Sequence, residues 1–224
     1  MNKTSVLIAA IISLALFFVI FALVASGYSK GFDSTTFLLI NNGLNVNALN
    51  WFFVGLSLYG REYFWILVIA LIWVLGKKDA KKGAILLVIA LIFMAIIGTG
   101  IKDLYYQQRP FDVLSQTILL VPPDTDSAFP SGHALIVIGA AVMALLTLRK
   151  RYSIPLFAEA LLVSYSRMYV GAHYPLDVLA GGLVGAAISL FVFYALSDSA
   201  ITYILLDYIN GVYSRIISTL KIRR

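Results

Sequence analysis

The chain has 224 residues, of which 61% are apolar and only 12% are charged, and its mean hydropathy is +0.91. This composition excludes an ordinary soluble domain and is typical of a protein that crosses a membrane several times. The formal net charge of +6 comes from Lys and Arg at the ends of apolar runs, which indicates contact with anionic lipid and excludes a nucleic-acid surface. There is no cysteine, so disulfides and thiolate catalysis are excluded as well.

Six apolar runs suit membrane-spanning helices, because a bilayer core of about 30 Å needs about 20 helical residues. They are residues 5–24, 63–76, 83–101, 131–148, 153–169 and 175–196. The second run is the shortest, and Lys77 and Lys78 must extend their side chains to the interface if it is to span. No linker or repeat divides the chain. We therefore predict one all-α domain over residues 1–224, a bundle of six transmembrane helices with its core at about 30–197.

Two segments lie outside these runs. Residues 30–60 are expected to form short interfacial helices on the outer side of the membrane. In residues 198–224, apolar side chains recur at near-helical spacing and basic residues follow at the end, which predicts an amphipathic helix on the cytoplasmic surface. A helix that packs against the bundle is an equally good interpretation of this tail.

Basic residues predict the orientation, because Lys and Arg next to spans favour the cytoplasm. When successive spans alternate in direction, twelve of the 17 fall on one side: Lys3, Lys77, Lys78, Lys81, Lys82, Arg149, Lys150, Arg151, Arg215, Lys221, Arg223 and Arg224. The other side has five: Lys30, Arg61, Lys102, Arg109 and Arg167. We therefore expect a multi-pass protein of the plasma membrane with both termini in the cytoplasm.

Polar residues on the predicted outer side form three clusters. Polar groups at membrane depth are costly and tend to be functional, so these clusters are candidates for a site. The segment KDLYYQQRP (102–110) follows the third run, FPSGHA (129–134) opens the fourth, and SRMYVGAHYPLD (166–177) joins the fifth to the sixth. An antiparallel bundle brings the outer ends of these runs together. We expect the three clusters to meet in one pocket at the extracytoplasmic face.

The first chemical feature of this pocket is positive charge. Lys102, Arg109 and Arg167 are fixed cations, and arginine binds phosphate oxygens in bidentate fashion. After Pro130, Ser131 is expected to be the N-cap of the fourth span, whose free N–H groups and dipole favour an anion. This combination predicts a phosphate-binding site.

The second feature is a pair of histidines, His133 and His173, which are the only two in the chain. Asp177 follows His173 by four residues, and Pro175 between them suits the first turn of a helix. A carboxylate placed there can accept a hydrogen bond from one imidazole nitrogen and raise the basicity of the other. We therefore expect His173 to be a nucleophile and His133 to protonate the leaving oxygen in phosphoryl transfer.

Taken together, the three clusters resemble the tripartite signature of the type 2 phosphatidic acid phosphatase superfamily. The matching patterns are Lys102-x6-Arg109-Pro110, Pro130-Ser131-Gly132-His133 and Ser166-Arg167-x5-His173-x3-Asp177. Their order and spacing match without a departure, and the resemblance extends over about residues 30–197. The three motifs jointly are specific, whereas PSGH alone is weak.

The resemblance implies a six-helix membrane lipid phosphatase that uses neither metal nor cofactor. It assigns phosphate binding to five residues: Lys102, Arg109, Ser131, Gly132 and Arg167. It assigns attack on phosphorus and a phosphohistidine intermediate to His173, support of that histidine to Asp177, and protonation of the leaving group to His133. Water then hydrolyses the intermediate.

Two further features have plainer interpretations. Asp112, Asp124 and Asp126 precede PSGH and could bind a cation, but an ordinary solvated loop is the favoured interpretation. Glycines at 181, 182 and 185 in the last span form a small-residue face, which predicts close helix packing without any site.

The substrate stays open at this stage. The favoured hypothesis is hydrolysis of a polyprenyl pyrophosphate, of the undecaprenyl or dolichyl type, to its monophosphate. The alternative is a phosphatase for phosphatidylglycerol phosphate or phosphatidate. A third hypothesis is a phospholipid-binding or transport protein without turnover. The motifs address the phosphate and the lipid chain meets only apolar walls, so the residues do not separate the first two.

Overall fold

The computed structural model describes residues 2–222, and the regular structure in that range is helical throughout. The helices are α1 (Lys3–Ala25), α2 (Lys30–Leu38), α3 (Asn50–Tyr59), α4 (Glu62–Leu75), α5 (Lys78–Leu104), α6 (Pro110–Val113), α7 (Gly132–Thr147), α8 (Lys150–Tyr169), α9 (Pro175–Leu196) and α10 (Ala200–Ile222). A π-helical turn and a 3-10 turn lie between α2 and α3. Arg223 and Arg224, counted above for the orientation, lie outside the described residues.

A helix lies at each of the six predicted spans, and the all-α expectation is confirmed. Within residues 2–222, α1, α5 and α9 are long and apolar enough to cross a membrane by themselves. Helix α4 reaches that length only together with residues 47–59, from which it is bent by 67°. Helix α7 is apolar but has only 16 residues. The short helices α2 and α3 occupy the region for which interfacial helices were predicted.

Helices α7 and α9 pack with their backbones in contact, as the glycine pattern predicted. A Cβ atom on Gly181 would lie 2.4 Å from the carbonyl oxygen of Ser131, and one on Gly185 would lie 2.0 Å from that of Leu135. Only glycine permits this approach. The backbone N–H of Ser131 also donates to the carbonyl of Asp177 (2.9 Å). The starts of α7 and α9 are thereby held against each other.

At the opposite end of the bundle, Lys3 and Lys82 both lie near the carboxylate of Asp198, at 3.0 Å and 3.9 Å. The starts of α1 and α5 and the end of α9 therefore share one end, as alternating helix directions require. Such exposed ion pairs add little stability. They nevertheless report the topology.

The tail forms the predicted helix, α10, and this helix contacts the bundle. Lys81 of α5 donates to the side chain of Asn210 (3.2 Å), and its ammonium group lies 5.1 Å from the centre of the Tyr213 ring. Lys82 lies 5.4 Å from the Tyr203 ring in the same manner. These cation–π contacts hold α10 against the start of α5. They agree with the second interpretation of the tail, a helix that packs against the bundle.

Candidate active site

The structure brings the three sequence clusters together at one end of α5, α7, α8 and α9. Lys102 lies in the last turn of α5, Arg109 precedes α6, and Arg167 lies in the last turn of α8. His173 lies in the turn before α9, and Asp177 lies in the first turn of that helix. Ser131, Gly132 and His133 begin α7. All eight predicted site residues therefore belong to one region.

The turn between α8 and α9 places His173 beside Arg167. The N–H groups of Ala172 and His173 both donate to the carbonyl of Arg167, at 3.0 Å and 3.2 Å. Gly171 has φ +89°, and a Cβ atom there would lie 2.6 Å from the carbonyl of Ile118. This left-handed conformation and tight approach require glycine. The loop therefore depends on Gly171 to hold the histidine next to the arginine.

His173 and Asp177 face each other, but the direct hydrogen bond expected from their spacing is not formed. Nδ1 of His173 lies 3.6 Å from Oδ2 of Asp177, beyond hydrogen-bond distance. The reason is that Oδ2 already accepts the N–H of Tyr174 (2.9 Å), in the manner of a capping box for α9. Among the described residues, Nδ1 of His173 and Oδ1 of Asp177 are both buried without a partner. Each member of the pair therefore keeps one polar atom free for a further hydrogen bond.

His173 is held in its neutral form. The side chain is only 2% exposed, and burial, followed by the charges of Arg109, Arg167 and Lys102, lowers its pKa well below the usual value. Nη1 of Arg109 lies 3.4 Å from Nε2 of His173. A neutral imidazole that accepts at Nε2 carries its proton on Nδ1, on the side of Asp177. The lone pair on Nε2 then faces Arg109.

The three predicted cations are close together and largely buried. Arg109 is 2% exposed and donates to the carbonyls of Ala172 (2.9 Å) and Asp126 (3.1 Å). Arg167 is 3% exposed and donates to the hydroxyl of Ser57. Lys102 donates to the carbonyl of Ser127. Buried like charges are costly unless anions compensate them, so the site requires negative charge.

Asp124 and Asp126 supply that charge: their loop is exposed, as expected, but these two carboxylates pair with the cations of the site. Asp124 Oδ2 lies 3.2 Å from Arg109 Nη1 and 3.0 Å from Arg167 Nη2. Asp126 pairs with Lys102 (2.9 Å) and with Arg109. Partial burial opposes ionisation of Asp126, but its bonds to Lys102 and Arg109 hold its pKa below the usual range.

The cation site considered for the same loop does not form. Asp112 accepts the N–H of Arg109 (3.3 Å) as a cap of α6. Within residues 2–222, no three carboxylate or imidazole groups are gathered as metal ligands. Asp124 and Asp126 instead face cations.

The two serines of the motifs differ in the partners of their hydroxyl groups. Ser131 takes the N-cap position, as expected, but its hydroxyl makes no capping bond and is buried without a partner among the described residues. Ser166, from the third motif, donates instead to the carbonyl of Val163 (2.6 Å) within its own helix. The serine at the helix start therefore has a free hydroxyl, and the serine beside Arg167 does not.

Comparison with known proteins assigns the family. The sequence model of the PAP2 superfamily matches residues 83–200, which contain all three motifs. The chain belongs to the PAP2 superfamily. The family resemblance drawn from the motifs is thereby confirmed.

Two relatives of this PAP2 chain are informative. An undecaprenyl-diphosphatase of Sulfolobus acidocaldarius is 46% identical over 167 residues, which are 75% of this chain and 80% of that protein. The undecaprenyl-diphosphatase BcrC of Bacillus subtilis is 33% identical over 154 residues, covering 69% of this chain and 77% of the relative.

Solved structures of PAP2 proteins share the fold. LpxE of Aquifex aeolicus superimposes with a TM-score of 0.65 at 26% identity, covering 72% of this chain and 94% of that one. A transmembrane PAP2 type phosphatidylglycerolphosphate phosphatase of Bacillus subtilis gives 0.66 at 17% identity, covering 85% and 98%. The latter likeness concerns the fold alone.

One cation next to this PAP2 site was not among the predicted site residues. Arg61 lies in the turn between α3 and α4, and its Nη1 is 3.9 Å from where a Cβ atom on Gly132 would lie. Nε of Arg61 pairs with Glu62 at 2.6 Å. The sequence signal was its place among the five basic residues of the predicted outer side.

A second unpredicted residue is Asp33 of α2. Its Oδ1 accepts the N–H of Leu176 (3.0 Å), the residue before Asp177, across 143 residues of sequence. Burial raises its pKa to about 6, although the Leu176 bond opposes this rise. Asp33 also lines a cavity of about 490 Å³, together with Lys30, Tyr105, Gln108 and Tyr174. The cavity adjoins the histidine turn and opens between α2 and the segment that follows α5.

Proposed function

We propose that this chain is an integral-membrane lipid phosphatase that hydrolyses the terminal phosphate of a polyprenyl pyrophosphate. The observation that carries the reaction type is the meeting of two buried arginines and the partly buried Lys102 with a neutral histidine whose Nδ1 faces a carboxylate. The substrate class is supported by 46% identity to an undecaprenyl-diphosphatase over most of both chains.

The cations would bind the phosphate that is transferred. Lys102, Arg109 and Arg167 neutralise its equatorial oxygens, and the two guanidinium groups also fix its orientation. The hydroxyl of Ser131 and the free N–H groups at Gly132 add hydrogen bonds from the start of α7. Charge that builds up on these oxygens in the transition state is stabilised by groups already in place.

Covalent transfer would begin at His173. Its Nε2 attacks the terminal phosphorus, a nitrogen–phosphorus bond forms, and the bond to the bridging oxygen breaks. His133 donates a proton to that bridging oxygen, and the lipid monophosphate departs. The Nδ1 proton of the now cationic imidazole binds Asp177, which stabilises the phosphohistidine.

Hydrolysis would complete the cycle. His133, now deprotonated, takes a proton from a water molecule, and the oxygen attacks the phosphorus of the phosphohistidine. The nitrogen–phosphorus bond breaks, inorganic phosphate leaves and His173 returns to its neutral form. In both steps each proton moves between water, the substrate and a protein side chain, and neither step uses a metal or a cofactor.

Arg61 favours a diphosphate over a phosphate monoester. The proton donor His133 must lie at the oxygen that leaves, and Arg61 lies next to Gly132, the residue that precedes His133. In a diphosphate the leaving group is itself a phosphate, which needs a cation of its own. A phosphatidate has no second phosphate for Arg61 to bind.

We further propose six spans, formed by α1, α4 with its bent partner α3, α5, α7, α8 and α9. Both termini would lie in the cytoplasm and the site would face the exterior of the plasma membrane. The support is the distribution of basic residues and the grouping of Lys3, Lys82 and Asp198 at the end opposite the site.

Single cysteines test this orientation, because the chain has none of its own. Asp103→Cys lies at the site end and Arg151→Cys at the other end, and both positions are exposed. A membrane-impermeant maleimide added to intact cells is expected to label only the cysteine at 103. Labelling at 151 alone would reverse the orientation.

Phosphate release by the purified protein tests the function. The substrates are undecaprenyl and shorter prenyl pyrophosphates, phosphatidylglycerol phosphate and phosphatidate, each with and without a chelator. We expect fastest release from the prenyl pyrophosphates, unaffected by the chelator. Faster release from either glycerolipid would support the glycerolipid alternative. Release from none would contradict the enzyme assignment and favour a lipid-binding or transport protein.

A further inference from the structure

We propose that Asp124 and Asp126 compete with the substrate phosphate for the three cations of the site. For the nature of the ligand this inference rests on the proposed function. Its test measures anion binding without turnover, so it can fail while the phosphatase assignment stands, and the reverse.

The contacts show that the two carboxylates occupy the positions a phosphate needs. Asp124 bridges Arg109 and Arg167, at 3.2 Å and 3.0 Å, and Asp126 bridges Lys102 and Arg109. Each cation that the motifs assign to phosphate binding is thus already paired with carboxylate oxygen. A phosphate cannot make the same bonds until these oxygens withdraw.

Exposure shows from which side the carboxylates approach. The side chains of Arg109 and Arg167 are 3% and 4% exposed, whereas those of Asp124 and Asp126 are 46% and 56% exposed. The acidic segment therefore lies between buried cations and solvent, where an entering ligand would also lie. Withdrawal of half-exposed carboxylates into water costs far less than exposure of the buried arginines.

Charge balance makes the exchange possible. Two carboxylates compensate three cations, and buried cations left without anions are strongly destabilising. A phosphate group carries about two negative charges, so one phosphate on the three cations replaces the charge of both carboxylates. When inorganic phosphate leaves after the reaction, the return of the carboxylates assists its release.

Binding of two stable anions to the full-length protein in detergent, measured by calorimetry with a chelator present, tests the proposal. The anions are inorganic phosphate and methylenediphosphonate, a diphosphate analogue that cannot be hydrolysed. Asp124→Asn and Asp126→Asn should each tighten phosphate binding about tenfold, as expected when a competing state is removed. Binding of the diphosphonate should tighten in the same direction, because its terminal phosphonate meets the same cations.

Asp103→Asn is the matched control. Asp103 is exposed, lies next to Lys102 in sequence and forms no ion pair among the described residues, so its variant changes net charge without touching the cluster. This control should bind both anions as the wild type does. Weaker or unchanged phosphate binding in both the Asp124 and the Asp126 variants would overturn the proposal, since it would make these carboxylates structural supports of the cations.

Hydrogen exchange of the wild type gives a second test that needs no variant to fold. When methylenediphosphonate displaces the carboxylates, the segment 122–127 loses its ion pairs. Exchange of its amide protons should therefore rise on binding, while exchange at the start of α7 falls. A fall in exchange over 122–127 would mean that the segment closes on the ligand, and would overturn the proposal.

Discussion

Nη1 of Arg109 lies 3.4 Å from Nε2 of His173, so a phosphate-binding cation and the attacking nitrogen of the proposed mechanism are in direct contact. Because an arginine can only donate, the histidine nitrogen accepts and its proton is held on Nδ1. That proton faces Asp177 at 3.6 Å. One arginine thus orders the nucleophile for attack and sets the tautomer that the carboxylate can stabilise.

Asp177→Asn tests this division of labour. The amide still caps α9 through its oxygen, but it cannot stabilise the cationic imidazole formed on attack. We expect kcat to fall about a thousandfold with little change in KM, as for other carboxylate–histidine pairs. Steady-state phosphate release gives both constants, and circular dichroism checks the fold. A kcat within about threefold of wild type would remove Asp177 from the mechanism.

Arg61→Gln tests the assignment of the leaving phosphate. Loss of this cation should lower kcat/KM for a prenyl pyrophosphate about a hundredfold, within the range for a lost charged contact to a transition state. Hydrolysis of a simple phosphate monoester such as phosphatidate should change much less, because its leaving group has no second phosphate. Arg61→Lys should recover part of the loss. Equal losses on both substrates would instead assign Arg61 to the fold of the α3–α4 turn.

Asp33→Asn tests the buried carboxyl that caps α9. The folded-state pKa of Asp33 is about 6, above the usual 3.8, so the folded protein binds more protons and stability falls as pH rises between these values. The asparagine keeps an acceptor for Leu176 but has no charge to bury. It should be more stable than the wild type at pH 7, by about 3 kcal/mol at most, and equally stable near pH 4.

Thermal unfolding in detergent across pH 4 to 7 measures this difference. Asp103→Asn, which removes an exposed carboxyl from the same end of the bundle, is the control and should follow the wild type. If the stability of the Asp33 variant and of the wild type changed with pH in the same way, ionisation of Asp33 would not destabilise the folded protein.

The sequence predicted the helices and the meeting of the three motifs well, because both depend on strong signals. Apolar runs bounded by charges define the helices. Antiparallel packing of these helices brings their outer ends, which carry the three motifs, to the same side of the bundle. The glycines at 181 and 185 likewise predicted the backbone contact of α7 with α9. Gly171 was missed, since the clash that requires it involves Ile118, far away in sequence.

The contacts of charged side chains were less predictable. Asp124 and Asp126 lie in a segment with the composition of a solvated loop, and their partners lie between 15 and 43 residues away. No local pattern therefore distinguishes a carboxylate that faces only water from one that pairs with a cation of the site. The bond of His173 to Asp177 was expected from spacing alone, but the N–H of Tyr174 competes for the same oxygen. Arg61 lies in no motif, and its position depends on the 67° bend between α3 and α4.

Trapping of the covalent intermediate tests the central claim most directly. The purified protein is mixed with a prenyl pyrophosphate labelled with 32P in the terminal phosphate, quenched in alkali within milliseconds to seconds, digested and examined by mass spectrometry. The account predicts alkali-stable label on the peptide that contains His173, and neither label nor turnover in a folded His173→Ala variant. Label on another residue, or turnover in His173→Ala, would contradict it.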